Sequence, residues 1–203
     1  MNGFNKAQPD SINSRLSRLN VSGMSFLMSP PEDFSDKTML ELELIENIGR
    51  RIKEEDKETI LRYDGNVLEE YFNILDQFSL NYDKTEIEEL INDIKIIVIE
   101  EKEKHNRLRP SSLGETQSFI ISEEFKQKDD SSSYPSSHAT ESMFLSLFLG
   151  ESFPLYKNVF MELAKNISNS RLLSSMNYPT DNLAGHTLAN VLFTRYNKEG
   201  NTR

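Results

Sequence analysis

"HATESMFLSLFLG", residues 138–150, is the stretch on which the fold turns. Met143, Phe144, Leu145, Leu147, Phe148 and Leu149 cover most of a helix circumference, and Gly150 is a natural stop. A helix that is apolar nearly all round has no face to give to water. The stretch therefore predicts a buried central helix, about 138–149, with the rest of the chain wrapped around it.

Working outward, the C-terminal side predicts a helix from about Pro154 toward Leu173, with Leu155, Val159, Leu163 and Ile167 inward, and a last helix from Asp181 to Tyr196. On the N-terminal side, "KTEIEELINDIKIIVIEEKEKH", residues 84–105, sets Ile87, Leu90, Ile91, Ile94, Ile97 and Val98 on one face. Thr85 and Glu88 mark its start, and Pro110 its limit. Further back, Thr38 and Glu41 suggest a capping box before Leu40, Leu44, Ile45, Ile48 and Ile52, and a second helix is expected around Val67 to Leu80. Residues 111–134 lack a helical period and read as a long loop with a short strand at Phe119–Ser122. Residues 1–36 read as an extended arm, and 37–203 as a single helical domain. The expected class is all-α.

A chain of 203 residues can bury a real core, and its net charge of -10 argues against nucleic-acid or anionic-membrane partners. The absence of cysteine excludes disulfides and thiolate metal sites; no metal and no cofactor is expected. No apolar run reaches the length of a membrane span or a leader, so the expectation is a soluble protein without a signal peptide, cytoplasmic or virion-associated. A homo-oligomer is compatible with all of this.

Three short stretches are suited to holding a phosphoryl group. In "KEKHNRLRP" an ammonium, Lys102, and a planar guanidinium, Arg109, stand near a helix end and can neutralise a dianion. In "YPSSHAT" the Ser136 hydroxyl, the backbone amides of Ser137 and His138 and the helix dipole would face an anion. In "SRLLSSMNYPTDNLAG" Arg171 offers a second guanidinium, and Asp181 can cap the last helix or orient a neighbouring base. Taken singly, these are ordinary dipole-compensating cations, a Ser cap and an Asp cap.

Taken in order and spacing, the stretches resemble the type 2 phosphatidic acid phosphatase superfamily, which includes class A bacterial acid phosphatases and vanadium haloperoxidases. The family pattern is Lys, six residues, Arg-Pro; then Pro-Ser-Gly-His; then Ser-Arg, five residues, His, three residues, Asp. Lys102, Arg109 and Pro110 fit the first block, Pro135, Ser136 and His138 the second, and Ser170, Arg171 and Asp181 the third. The resemblance covers about residues 30–197 and implies an all-α bundle with phosphomonoesterase chemistry on a small phosphorylated ligand or inorganic phosphate. It also implies roles: His138 as the acid, Asp181 as the orienting carboxylate, and Lys102, Arg109, Ser136, Ser137 and Arg171 as the phosphate cradle. Arg109, Arg171, Ser136, His138 and Asn177 should then converge on one anion-sized cleft at the start of the buried helix.

The departures matter as much. Asn177 stands where the family has the His that attacks phosphorus, and an amide nitrogen whose lone pair is delocalised is no nucleophile. Ser137 replaces the Gly of the second block, and Ser175 stands where relatives usually have Gly. Asn177 is explained by an engineered block that traps substrate, by natural loss that leaves a phosphate-binding or structural (virion or assembly) protein, or by slow direct attack of water. A haloperoxidase role is disfavoured because vanadate anchors through that same His position, and a lipid-phosphatase role because the expected spans are missing.

Overall fold

The computed structural model describes residues 27–117 and 131–200. Its described elements are α1 (Asp36–Gly49), α2 (Glu54–Asp64), α3 (Val67–Gln77), α4 (Lys84–His105), α5 (Pro110–Thr116), α6 (Ser137–Ser152), a 3₁₀ turn (Pro154–Tyr156), α7 (Lys157–Leu173) and α8 (Pro179–Gly200). The fold is all-α, and no strand occurs among the described residues. The strand expected at Phe119–Ser122 and residues 1–26 of the expected arm lie outside them.

α6 is the axle. Ala139 to Ser146, Leu149 and Gly150 are all buried, and α7 and α8 make its largest packing surfaces, with α3 and α4 closing the remaining sides. Its polar interior positions are spoken for. Tyr71 of α3 donates to the Ser142 carbonyl at 2.7 Å and lies 2.7 Å from the Ser146 hydroxyl, which itself donates to the Phe160 carbonyl of α7 at 2.6 Å. An unpaired hydroxyl there would cost a few kcal/mol, so these bonds fix the rotation of α6 against both neighbours.

Several boundaries depart from the expectations. α1 is capped by Ser35, whose hydroxyl accepts the Thr38 N–H at 3.3 Å, and it ends at Gly49 rather than running through Ile52. Its buried face is Thr38, Glu41, Leu42 and Ile45, whereas Leu40 and Leu44 are exposed, because a buried arginine described below draws Glu41 inward. α2 has only Ile60 and Asp64 buried, too little apolar signal to announce a helix. α4 starts from an Asp83 cap and closes on Asn106 in the left-handed region (φ 46°), well before Pro110. The long loop expected at 111–134 begins instead with α5, which uses Pro110 at its first turn, where a missing N–H is harmless. On α7 the inner face is Phe160, Leu163, Ala164 and Ile167; Leu155 sits in the preceding 3₁₀ turn, 94 % exposed, and Val159 is also exposed.

One close approach sets the site's floor. A Cβ on Gly185 of α8 would lie 2.7 Å from the Ser136 carbonyl and 3.0 Å from both Ala139 and Thr140. Only glycine lets α8 lie directly across the first turn of α6. The Ser136 N–H donates to the Asp181 carbonyl at 3.1 Å across the same crossing.

Candidate functional site

The first turn of α6 opens into a cleft of about 420 Å³, within the size range of small-ligand pockets. Lys102, Arg109, Ser137, His138, Arg171 and Asn177 line it, joined by Gly65, Asn66, Lys95, Ser131 and Glu141. Residues from three sequence blocks nearly seventy positions apart thus share one wall. Another cavity, about 510 Å³ between α1, α2 and α7, has Arg51 and Asp56 in its lining and gathers no cluster of cations.

Each block reaches the cleft by a local device. Lys102 lies in the last turn of α4, and its ammonium donates to the Ser132 carbonyl. Arg109 precedes α5; Nη1 donates to the Met176 carbonyl at 2.8 Å and Nη2 to the Ser131 hydroxyl at 2.9 Å, which fixes the guanidinium plane. Ser136 caps α6 by accepting the Ala139 N–H at 3.3 Å. Ser137 begins the helix with negative φ, so the side chain at the family's Gly position costs no backbone strain.

The third block depends on how α7 ends. Ser175 N–H donates to the Leu172 carbonyl at 3.0 Å and Met176 N–H to the Arg171 carbonyl at 3.0 Å, with Ser175 at φ 55° between them. This is the doubly bonded left-handed stop of a Schellman motif, a position where glycine is favoured. It folds the chain back so that Asn177 lies over Arg171.

Asn177 is buried and fully engaged. Its Oδ1 accepts from Arg171 Nε at 3.2 Å and from the Ser136 hydroxyl at 3.3 Å; its Nδ2 donates to the Ser133 carbonyl at 2.6 Å and to Asp181 Oδ2 at 3.4 Å. Ser136 and Asp181 therefore stand one layer behind the cleft, touching it through Asn177, while Lys102, Arg109, Ser137, His138 and Arg171 reach its surface.

Two carboxylates and an arginine outside the motif residues complete the arrangement. Asp64, the last residue of α2, pairs with Arg171. Arg107 is buried beneath the third block: Nη1 donates to Asp181 Oδ1 and to Thr180 Oγ1, each at 2.7 Å, and Nη2 to Glu41 Oε2 at 3.0 Å. Its guanidinium also stacks 3.9 Å over the Tyr178 ring. Glu41 in turn accepts the Thr180 N–H at 2.8 Å, so α1 is fastened to the start of α8. Arg107 occupies an unspecified position inside the first block, and only its burial reveals its part.

The electrostatics follow from burial. Burial raises the Asp181 carboxyl above its usual value, opposed chiefly by Arg107. Burial lowers Arg171 to about 10, still far above neutral, so the guanidinium keeps its charge. His138 Nε2 lies 3.1 Å and 3.2 Å from the Asp64 and Gly65 carbonyls. Carbonyls only accept, so Nε2 carries the proton. Burial, with lesser contributions from Arg109, Lys102 and Lys95, lowers this imidazole to about 4 despite the Gly65 bond. Glu141, one turn further along α6, is pushed up to about 7 by burial, with Lys95 opposing.

Among the described residues no helix is long and apolar enough to cross a membrane. No curated protein matches the chain. The sequence does match the profile of the PAP2 superfamily over residues 93–198, just over half its length, spanning all three blocks. With an all-α bundle and the three blocks gathered on one cleft, the chain belongs to the PAP2 superfamily.

Proposed function

We propose that this protein is an acid-phosphatase-like hydrolase site that binds inorganic phosphate or a soluble phosphomonoester and, as written, turns it over slowly or not at all. The observation that carries this reading is Asn177: it bonds Arg171, Ser136 and Asp181 at once, in the place where the family's attacking imidazole stands. Lys102, Arg109, Arg171 and the amides at the start of α6 would hold the phosphoryl oxygens as charge develops. A carboxamide there can donate a hydrogen bond but cannot form a bond to phosphorus. His138 adds a second restraint. A ring that is neutral near pH 7 is a poor acid for a leaving alkoxide, although a bound dianion offsets the neighbouring cations and raises its affinity for a proton.

A second reading, a non-catalytic phosphate-binding component of a larger assembly, is favoured by the completeness of the Asn177 network. Both amide protons and the carbonyl oxygen are used, so the site is settled around Asn rather than disrupted by it.

The test compares the protein with its Asn177→His variant, using an aryl phosphate for turnover and calorimetric titration of phosphate and vanadate for binding. The hydrolase reading expects the His form to be faster by about 10³-fold or more. If both forms are inert while phosphate still binds, the assembly reading replaces it. If neither form binds phosphate or vanadate, the pocket itself has been misread.

A further inference from the structure

The cleft is deeper than a phosphate needs, and its second level has a different chemistry from its first. Lys102 on α4 and Ser137 at the start of α6 line the cleft together with Lys95, two turns earlier on α4, and Glu141, four residues further along α6, and Lys95 interacts electrostatically with Glu141. The step between the levels is about 6 Å along α6 and about 10 Å along α4. The members of the second level are Lys95, Glu141 and Asn66, which caps α3 through Oδ1.

Glu141 is the informative residue. It is 6 % exposed and lines the cleft, yet its carboxyl makes no hydrogen bond among the described residues, and no ion pair joins it to Lys95. Buried carboxyls are ordinarily paired, because removing them from water without a partner is costly. The Glu141 oxygens are not sealed off from the cleft, so a ligand can reach a largely buried carboxyl on one helix and exposed Lys95 on the other.

Above pH 7, where the Glu141 carboxyl is ionised, the pair of opposite signs discriminates among ligands. A second phosphate would meet Glu141. An ammonium-bearing group would meet Lys95 with Lys102 and Arg109 behind it. An apolar group would strip both charges of water and return nothing. A hydroxyl satisfies both, donating to the carboxyl while accepting from the ammonium.

We infer that Lys95 and Glu141 form a hydroxyl-binding subsite, making the ligand of this cleft a phosphomonoester of a polyol or sugar with a free hydroxyl that reaches past the phosphate cradle. This rests on the phosphate-binding reading above.

Calorimetry on the full chain tests it with three probes: inorganic phosphate, glucose 6-phosphate and cyclohexylmethyl phosphate, which has a similar ring and no hydroxyls. The expected result is that glucose 6-phosphate binds about tenfold more tightly than cyclohexylmethyl phosphate. Both Glu141→Gln and the exposed-site variant Lys95→Met should collapse that ratio toward one, so that a folding defect in either leaves the other decisive. Equal binding of the two esters to the unaltered protein, or a ratio unmoved by either variant, overturns the subsite while inorganic phosphate binding keeps the phosphate reading. Failure of inorganic phosphate to bind overturns both.

Discussion

Ser175 holds a left-handed backbone, φ 55°, at the turn that swings Asn177 over Arg171. A side chain with a Cβ costs roughly 1–2 kcal/mol in that conformation, part of which glycine gives back as unfolded-state entropy. Ser175→Gly should therefore stabilise the fold by about 0.5–1 kcal/mol, measurable as a rise in the urea midpoint with unchanged slope. Ser137, the other serine at a glycine position of the family pattern, sits at ordinary helical φ, and no such gain is expected there. The two substitutions look alike in sequence, and the backbone separates them. Asn177 shows the same division: its identity rules out nucleophilic attack from the sequence alone, while two of its four hydrogen bonds go to Ser133 and Ser136, about forty residues away.

At the scale of the element, α6 carries two groups whose titrations oppose one another. Glu141 is raised from 4.5 to about 7, so its contribution to stability is full below 4.5 and lost as pH rises toward 7. His138 is lowered from 6.5 to about 4, so its contribution is full above 6.5 and lost as pH falls toward 4. Between pH 4.5 and 6.5 the slopes cancel. Glu141→Gln removes one of them, so the variant should gain stability relative to the unaltered protein as pH rises through this window, by at most about 1.4 kcal/mol per pH unit. Thermal melts at half-unit steps read the difference. The elements also differ in how plainly they could be foreseen. α4 and α6 announce themselves because an apolar stripe and an all-apolar segment are patterns of burial that sequence records directly. α2 and α5 do not, since one buries almost nothing apolar and the other is a short Pro-initiated turn. Lys95 and Glu141 were invisible for a related reason: each becomes part of the cleft only through the register of two packed helices.

Across the whole molecule, a net charge of -10 surrounds a cleft in which cations converge. On the proposed reading, a phosphate would approach against the long-range field and be held by the short-range one, so its association should speed up as moderate salt screens the approach. The interior is held together by charge as well. Arg107 joins the first block, the third block and α1 in one buried network, and Arg107→Met would leave Glu41 and Asp181 buried without their counter-ion. The expected loss is about 3–5 kcal/mol by chemical denaturation, with Asp181 driven further toward its protonated form. The segment matched by the family profile begins at residue 93, after Glu41, Asp64 and Tyr71 have already been supplied by α1, α2 and α3. The bond from Thr180 to Glu41 therefore makes the boundary of recognisable ancestry a poor guide for cutting this chain: a fragment of 93–198 would keep every motif residue and lose the supports that hold them in register.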